Sequence, residues 1–473
     1  MATQANSVPH PTLIKVDPFV PADQQKGIHN RWHPDIPAFA TVKPGEASGR
    51  SIAPTFLVLT FFQVFKIECV DWTGAQIGNN DNSDDVKNVD LTKVHNLSGP
   101  IAVEGAEPGD CLVVDILDVQ PFEKMPWGYT GIFELNNGGG LFAREFDSKA
   151  AKAIWDFHGI YASSRHIPGV RFAGVSHPGL IGTAPSADLL ATWNKREGEL
   201  IAQHPNAVPA VAFAPNAVGS YVGQDLDSKV RQKIAEEGAR TIPGREHGGN
   251  CDIKNLSKGS RCYFPVFIKG ANLSVGDLHF SQGDGELSFC GAIEMAGIIT
   301  FSTSIIKGGV EKFALKQPIF LACIVFYSII LHSQNFVALS YRPSLFGQGT
   351  SLPTAIVFEV KAIDFRSSSR ESVSTIVHGD GKQYNMDATV AYKQAALNAI
   401  AYLMKIGYTR EQAYLLLSAA PIESHVGALV DSPNACVTLA IPTGIFSHDI
   451  LPKPEGFTKQ DFGQCAIRSD GIV

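Results

Sequence analysis

The chain has 473 residues, of which 44% are hydrophobic and 18% charged, a composition typical of a folded globular protein and not of a disordered one. A formal net charge of −7 excludes an overall basic surface for nucleic acid or acidic membranes. Eight cysteines are too few for a disulfide-stabilised secreted scaffold, and MATQANSVPHPTLIKVDP at the start contains no apolar run typical of a signal peptide. We therefore expect a cytoplasmic protein.

Strand patterns dominate the N-terminal and central parts of the chain. VFKIEC (64–69) alternates polar and apolar residues, and DCLVVDILDV (110–119) is a β-branched run behind a Pro-Gly turn. Residues 260–306 add short apolar runs separated by glycine-rich turns. These patterns predict a β-rich protein.

Two helices are predicted near the C-terminus. The first covers residues 388–405 and ends at Gly407. The second begins with the capping box TREQ (409–412) and continues to about Ala419. The sequence therefore adds a small α+β part to the strands.

Two stretches interrupt these patterns. Residues 47–63, ASGRSIAPTFLVLTFFQ, separate Glu46 from Val64, which together would form a regular turn-to-strand junction. Possible splice-site codons suggest a retained intron there, and a genuine insertion loop with an apolar strand is the alternative. In residues 321–377 the apolar run is shorter than a bilayer requires, so we predict no membrane span. A one-base shift in the possible codons of 369–375 gives FEGISVD, which suggests intron read-through and a shifted reading frame.

Polar residues concentrate in three otherwise apolar segments, CVDWTGAQIGNND (69–81), REHGGNCDIKNL (245–256) and GDLHFSQGDGE (276–286). Histidine and carboxylate ligands with one position left for water form the usual catalytic zinc site. The spacing alone fits a Gly/Asp turn that caps a hairpin better than it fits a metal site. The spacing alone therefore leaves both the metal site and the hairpin-capping turn as interpretations.

The third segment predicts a hairpin around a histidine. Asp277 and His279 are two residues apart in a strand and share one face of it. If the glycine-rich turn returns the chain as a second strand, Glu286 lies near His279. Glu294 then shares the face of Glu286 as long as that strand stays regular.

The polar segments also carry a resemblance to a known family. REHGGNCDIKNL, GDLHFSQGDGE and SHPGLIGTAPS (176–186) resemble the acetamidase/formamidase family, and VDWTGAQIGNND and FCGAIEMAG (289–297) agree with it. GKQYNMDATVAYKQAALNAIAYLM and ESHVGALVDSPNACVTLAIP are similar to the fungal formamidases in particular. The resemblance covers nearly the whole chain except residues 47–63 and 321–377, where the sequence departs from the family pattern.

The resemblance implies a fold, an activity and partners. The fold class is β-rich α+β, with a jelly-roll-like β-sandwich, a smaller β-barrel-like part and a C-terminal α+β element with two helices. We expect parts at 1–165, 166–310, which carries the catalytic motifs, and 311–473. The implied activity is hydrolysis of formamide to formate and ammonia, with acetamidase or another short-chain amidase as the alternative. The resemblance implies a homo-oligomer, such as a trimer, and zinc as the cofactor. We expect a small amide as substrate, and neither nucleic acid nor a membrane as partner.

The candidate metal ligands are Asp71, Asp252 and His279. Each has an alternative: Asp71 caps the Thr-Gly turn that follows it, Asp252 forms an Asx-turn, and His279 is a hydrogen-bonded core histidine. The glycines before Asp252 allow the backbone to approach a ligand closely. His177 in SHPG favours a structural role.

The candidate catalytic residues are Glu286 and Asp284, and the candidate substrate-binding residues are Asn250 and Gln282. Glu286 is the expected general base, against a solvated strand-end charge. Asp284 is the second candidate, although accepting backbone N–H groups to hold its loop fits it better. Asn250 or Gln282 would donate a hydrogen bond to the amide oxygen.

The expected reaction uses a metal ion that polarises the amide carbonyl and lowers the pKa of its bound water from 15.7 to roughly 7. Glu286 would transfer the water proton to the nitrogen, which leaves as ammonia. Because one extra methyl group changes selectivity by only about 1–3 kcal/mol, acetamide is expected to be a weaker second substrate.

Two alternative functions do not require a metal-activated water. Cys251, Lys254 and Glu246 could act as the thiol, lysine and acid of a cysteine-nucleophile amidase, although that fold requires β-α repeats that this sequence lacks. A non-catalytic ligand-binding β-sandwich would leave the many acids beside one histidine unexplained.

Overall fold

A computed structural model describes most of the chain, and the described residues are 10–45, 64–203, 216–315, 317–321, 355–361, 387–428, 436–450 and 457–471. The strands are β1 Thr12–Ile14, β2 Ile28–His29, β3 Ala40–Val42, β4 Val64–Cys69, β5 Leu97–Val103, β6 Cys111–Pro121, β7 Trp127–Ile132, β8 Ala151–His158, β9 Tyr161–Ser164, β10 Arg171–Ala173, β11 His177–Gly182, β12 Gly248–Asn250, β13 Arg261–Pro265, β14 Leu273–His279, β15 Phe289–Met295, β16 Gly297–Ile306, β17 Ile319–Leu321, β18 Ala355–Lys361, β19 Glu423–Ala428 and β20 Cys436–Pro442. The helices are α1 Asp84–Lys87, α2 Ala187–Gln203, α3 Ser228–Glu237, α4 Gly309–Lys312, α5 Ala388–Ile406 and α6 Arg410–Ala419.

Within these residues the strands form three sheets. The first has the order β1-β4-β16-β6-β13-β17. The second has the order β10-β9-β8-β7-β15-β14-β11-β12, with β5 paired to β14, and with β2 and β3 paired to β5. The third has the order β18-β20-β19. The β-rich prediction is confirmed, but both large sheets take strands from either side of residue 165, so that predicted boundary does not separate two sheets.

The C-terminal helices follow the sequence signals closely. Helix α5 ends at Ile406 with Gly407 as its C-cap, and α6 begins after Thr409, whose side chain forms the predicted reciprocal capping box with Gln412. Helix α5 packs against β18 and β20, while α6 packs against β7 and β15 of the second sheet. The α+β element therefore packs on the second sheet.

Four of the six helices in the described part of the chain were missing from the sequence prediction, and α2 and α3 are the long ones among them. Helix α2 carries Leu190 and Trp193 into a small apolar cluster with Trp32, and α3 begins after Asp227, whose side chain accepts a hydrogen bond from the Lys229 amide. Their apolar faces are narrow because they cover an edge of the molecule and not its main core. The many charged residues of α2 and α3 therefore obscured the helical spacing of their few apolar residues in the sequence.

The two irregular stretches lie mainly outside the described residues. Residues 47–63 and 369–375 fall outside them entirely, so the intron and reading-frame hypotheses stay predictions. Within the second stretch, Ala355–Lys361 form β18, which pairs antiparallel with β20 along its whole length. That part of the stretch supplies a regular strand.

Strand β14 is the centre of the second sheet. Each of its seven residues is buried, and it pairs with β11, β15 and β5. Charged side chains on such a strand require partners, because burial of an unpaired charge costs several kcal/mol or more.

No helix in the described part of the chain is long and apolar enough to cross a bilayer.

Candidate active site

The strand register places four polar side chains in one row across the second sheet. His177 of β11 pairs with His279 of β14, His279 pairs with Glu294 of β15, and Glu294 pairs with Tyr129 of β7. Directly opposite residues in antiparallel strands are about 4.5–5.5 Å apart, so their side chains contact one another. The row brings histidine and carboxylate into a buried site.

His279 is the centre of this row. Its Nε2 atom lies 3.1 Å from Glu294 Oε2 and 3.2 Å from Asp277 Oδ1. Burial opposes the charged imidazole, but Glu294 and Asp277 together raise the pKa of His279 well above its usual value. Although burial works in the opposite direction, His279 lowers the pKa of Asp277 to about 2. Asp277 and His279 therefore lie on the same face of β14, as their spacing predicted.

Two further carboxyl groups come from loops. Asp252 and Glu286 have left-handed backbones, with φ of 46° and 43°. Burial, followed by the charge of Asp277, raises the pKa of Asp252 to about 7. Burial and the neighbouring Asp252 raise the pKa of Glu286 well above its usual value. Burial likewise raises the pKa of Glu294 to about 8. Four acids around one histidine thus need protons or a cation to balance their charge.

Several ligand-type atoms of the cluster lack hydrogen bonds. His279 Nε2, Glu294 Oε2 and Asp252 Oδ1 are buried without a hydrogen-bond partner among the described residues. Two trios, Asp252 with Asp277 and His279, and His279 with Glu286 and Glu294, have ligand atoms within 4.8 Å of one another. This donor set of one imidazole and several carboxylates fits zinc or a similar divalent cation.

A glycine keeps space open beside these atoms. A Cβ atom on Gly179 would lie 2.5 Å from His279 Cε1 and 2.7 Å from both His279 Nε2 and Asp277 Oδ2. Real Cβ atoms do not approach other atoms so closely. Position 179 therefore tolerates only glycine next to the cluster.

Gln282 orients His279. Its Nε2 donates to the Asp252 carbonyl oxygen at 2.6 Å, so its Oε1 faces His279 Nδ1 at 2.9 Å. His177 lies behind, with Nδ1 2.6 Å from the Val175 carbonyl oxygen. A proton on His279 Nδ1 leaves Nε2 free as a metal ligand, which is the usual outer-shell arrangement. Both ends of the Gln282 amide are engaged, so the predicted substrate contact of Gln282 disagrees with the geometry, while the structural role of His177 agrees with it.

A cavity of about 310 Å³ opens at the cluster. Asn250 and the four acids line its polar side. Its apolar wall consists of Trp72, Leu141, Ile242, Leu287 and Phe289. Such a site holds a small molecule with one polar end against the carboxylates.

His95 also lines the cavity, although no sequence pattern predicted it. Its ring packs 5.2 Å from that of Trp72, and its Nε2 lies 3.9 Å from Asp277 Oδ2. The Thr241 hydroxyl accepts from the His95 amide at 2.6 Å. His95 is therefore held at the site by contacts with residues that are distant from it in the sequence.

Asp71 lies outside the cluster. Its oxygens accept hydrogen bonds from the Thr73 amide, the Thr73 hydroxyl, the Ala75 amide and the Tyr129 hydroxyl. With four donors, neither oxygen is open to a metal, so the structure favours the turn-capping alternative over the predicted ligand role. Through Tyr129, Asp71 supports the strand pair that carries Glu294.

Asp284 is not among the residues that line the cavity. Its Oδ1 accepts from Lys254 Nζ, and its Oδ2 accepts from the Ser424 amide at 2.8 Å. These contacts correct the assignment of Asp284 as a catalytic residue, because both oxygens hold the loop.

The two residues that would assist a Cys251 nucleophile, Glu246 and Lys254, form ion pairs elsewhere. Glu246 accepts hydrogen bonds from Arg196 and from Trp193, while Lys254 pairs with Asp284 and Glu423. Burial and the nearby Asp252 raise the pKa of the Cys251 thiol to about 12. A thiol with that pKa is a poor nucleophile near neutral pH.

The hairpin brings both Glu286 and Glu294 to His279, as predicted, but from different parts of the chain segment. Glu294 stands opposite His279, whereas Glu286 lies in the turn before β15 and reaches the cavity from there. Asp277 and Glu294 were noted only for their spacing and were not among the assigned ligands. The sequence features that could have identified them are the two-residue spacing of Asp277 and His279 in β14 and the predicted hairpin that carries Glu294.

Comparison with known proteins identifies the family. The acetamidase/formamidase family model matches residues 15–448. The chain belongs to this family. It is 49% identical to a formamidase of Methylophilus methylotrophus over 446 residues, which cover 94% of this chain and 96% of that one. It is also 49% identical to a putative formamidase of Schizosaccharomyces pombe over 458 residues, with 96% and 98% coverage.

A solved structure of the family is also similar. A gamma lactamase from Delftia acidovorans is 47% identical, covers 97% of this chain with 100% of its own, and superimposes with a TM-score of 0.81. The resemblance predicted from the sequence motifs is thereby confirmed, as is the β-rich architecture.

Proposed function

We propose that the protein is a metal-dependent formamidase, which hydrolyses formamide to formate and ammonia. Its strong identity to formamidases over nearly the full length supports the amide substrate. The observation that carries the metal proposal is the convergence of His279 Nε2, Glu294 Oε2 and Asp252 Oδ1 without hydrogen-bond partners among the described residues. A ligand-binding protein without catalysis has no need for four buried acids at one cavity.

The metal would be held by His279 and the carboxylates of Asp252, Asp277 and Glu294. When bound, zinc polarises a carbonyl and lowers the pKa of water. The remaining chemistry belongs to the side chains of the cavity, and Gln282 keeps the free nitrogen of His279 directed at the cluster.

Glu286 acts as the general base. It lines the cavity, and its pKa is raised by burial and Asp252, which makes it a stronger proton acceptor than an exposed glutamate. It accepts a proton from the attacking water and delivers it to the amide nitrogen, which leaves as ammonia.

Asn250 orients the substrate. Its Nδ2 donates to Asp252 Oδ2 at 2.9 Å, while its Oδ1 has no hydrogen-bond partner in the described part of the chain. The open Oδ1 accepts from the amide N–H of the substrate. This role differs from the predicted donation to the amide oxygen, because the amide group of Asn250 already serves Asp252.

Larger amides are a second candidate substrate class. The cavity of about 310 Å³ has five large apolar residues on one wall, more space than a one-carbon acyl group fills. The related Delftia acidovorans protein is described as a gamma lactamase. A small cyclic amide would place its ring against Trp72 and Phe289 while its amide group faces the acids.

One substrate panel tests both candidates. Purified protein is assayed for amide hydrolysis with formamide, acetamide and a five-membered lactam, before chelation, after chelation, and after return of zinc. We expect formamide turnover that chelation removes and zinc restores, and near-complete loss in Glu286→Gln with metal content retained. Unchanged turnover in the chelated protein would reject the metal, and an active Glu286→Gln would reject the base.

Further proposals concern cofactor, assembly and location. We propose zinc as the native metal, a homo-oligomer such as a trimer in the cytoplasm, and sheets arranged as a jelly-roll-like sandwich with a smaller barrel-like part. Metal analysis and light scattering of the purified protein test the first two. Monomeric protein at micromolar concentration would contradict the oligomer.

A further inference from the structure

The turn that carries Gln282 and Glu286 is held by the C-terminal α+β element. The Gly283 amide donates to the Ser418 carbonyl at the end of α6, at 2.6 Å. The Asp284 amide donates to the Ile422 carbonyl just before β19, at 3.3 Å. The element therefore fixes the backbone of the turn at Gly283 and Asp284.

Side chains extend this attachment into a buried charge cluster. Lys254 Nζ contacts Asp284 Oδ1 and lies 3.2 Å from Glu423 Oε1, and its side chain is only 4% exposed. Asp284 Oδ2 accepts from the Ser424 amide, and the Tyr392 hydroxyl donates to the Asp284 carbonyl oxygen. The lysine thus connects three segments, since it follows Asp252 by two residues, holds the turn before Glu286 and reaches β19.

The backbone on either side of this cluster is strained. Asp252 and Glu286 both have positive φ angles, which non-glycine residues adopt only rarely. Such conformations persist only where the surrounding structure imposes them. The contacts of Lys254 lie between these two residues and supply that constraint.

We propose that Lys254 is a positioning residue for the hydrolysis, which sets the separation of Asp252 and Glu286 by clamping their two loops to the C-terminal element. The inference rests on the proposed role of Glu286 as general base. Lys254 is not itself a proton donor to substrate, because two carboxylates surround its ammonium group and it is absent from the described lining of the cavity. A displacement of a catalytic group by about 1 Å costs on the order of 100-fold in rate, so a loosened clamp reduces kcat.

The test compares two buried lysines. Lys254→Met removes the charge and keeps most of the side-chain volume; we expect kcat on formamide to fall by about 10- to 100-fold, with KM and bound metal little changed. Lys152→Met is the matched control, because Lys152 is fully buried and lies 2.6 Å from Asp85 but is not among the cavity residues. The control should lose stability and keep its kcat. Lys254→Arg, which preserves the charge, should recover part of the activity.

A second pair of variants keeps the inference testable if Lys254→Met folds poorly. Asp284→Asn and Tyr392→Phe each weaken one contact of the turn and should lower kcat in the same direction, and Asp284→Asn should add little to Lys254→Met, because the two act on one contact. Wild-type kcat in folded Lys254→Met, or in both other variants, would overturn the clamp. If Glu286→Gln is inactive while Lys254→Met is fully active, only this inference fails; if Glu286→Gln is active, the proposed base fails first.

Discussion

His279 and Glu294 stand directly opposite each other on β14 and β15, with His279 Nε2 3.1 Å from Glu294 Oε2. The two atoms approach without forming a hydrogen bond, and each is buried. A third participant that accepts electron pairs from both explains this arrangement, and a divalent cation is such a participant. The predictions below follow from that relationship and from the groups that surround it.

Replacing His279 with alanine should remove most of the bound metal and most of the activity, because the cluster loses its only imidazole ligand. Metal content by elemental analysis and ammonia release from formamide check this. His158→Ala, at an exposed position on β8, is the control and should change neither. Full metal content in His279→Ala would show that the histidine is not a ligand.

Gly179→Ala should inactivate the protein by a steric route. The added Cβ would lie within 2.7 Å of His279 Nε2 and Asp277 Oδ2, so the ligand atoms must shift. Gly198→Ala on α2 is a suitable control, because its Cβ would meet nothing within 4 Å. Alanine there should stabilise the helix by up to about 1 kcal/mol. Metal binding and turnover that are normal in Gly179→Ala would contradict the geometry of the site.

Cys251→Ser should retain a sizeable part of the activity. Water and not sulfur is the proposed nucleophile, and burial with Asp252 raises the pKa of this thiol to about 12. Iodoacetamide at neutral pH should therefore also leave the enzyme active. An acyl-thioester trapped on Cys251 in the wild type, seen by mass spectrometry, would contradict the metal mechanism.

Glu294 should make metal-free protein lose stability, relative to Glu294→Gln, as pH rises from about 5 to 8. Burial raises the pKa of Glu294 to about 8 in the folded state, so the folded state retains a proton that the unfolded chain releases. By linkage, this contribution to stability falls as pH rises through the window. Buried histidines with a lowered pKa, such as His29 and His177, act in the opposite direction in both proteins, so the comparison of the two isolates the acid.

Thermal unfolding of chelator-treated protein between pH 5 and 8 measures this effect. Glu294→Gln removes this titrating group, so its Tm relative to that of the wild type should increase as pH rises from about 5 to 8. A difference in Tm between the two proteins that does not change with pH would show that Glu294 is not buried as described.

Deleting residues 47–63, so that Glu46 joins Val64, should increase the yield of soluble protein and leave formamide turnover per molecule unchanged or higher. The segment contains the apolar run FLVLTFF, and exposed apolar runs promote aggregation. The full chain expressed in parallel is the reference. Equal soluble yield and equal activity would identify the segment as a tolerated insertion.

Local signals in the sequence determined several elements correctly. The TREQ capping box and Gly407 set the ends of the C-terminal helices, because caps are satisfied by residues within one turn. The alternation in VFKIEC gave β4, since the side chains of a strand alternate between faces. The two-residue spacing of Asp277 and His279 likewise placed both on one side of β14.

The tertiary structure alone decided which acids complete the site. Glu294 stands directly opposite His279 in the sheet, whereas Glu286 brings its ligand atom within 4.8 Å of that of His279 from the turn before β15, where Gly285 and Glu286 have left-handed backbone. Asp71, which the sequence offered as a ligand, accepts a hydrogen bond from the hydroxyl of Tyr129 on β7 instead. His95 and the wall of the cavity come from segments far apart along the chain. Strand register and loop packing depend on contacts between such distant segments, so no local pattern of residues could specify them.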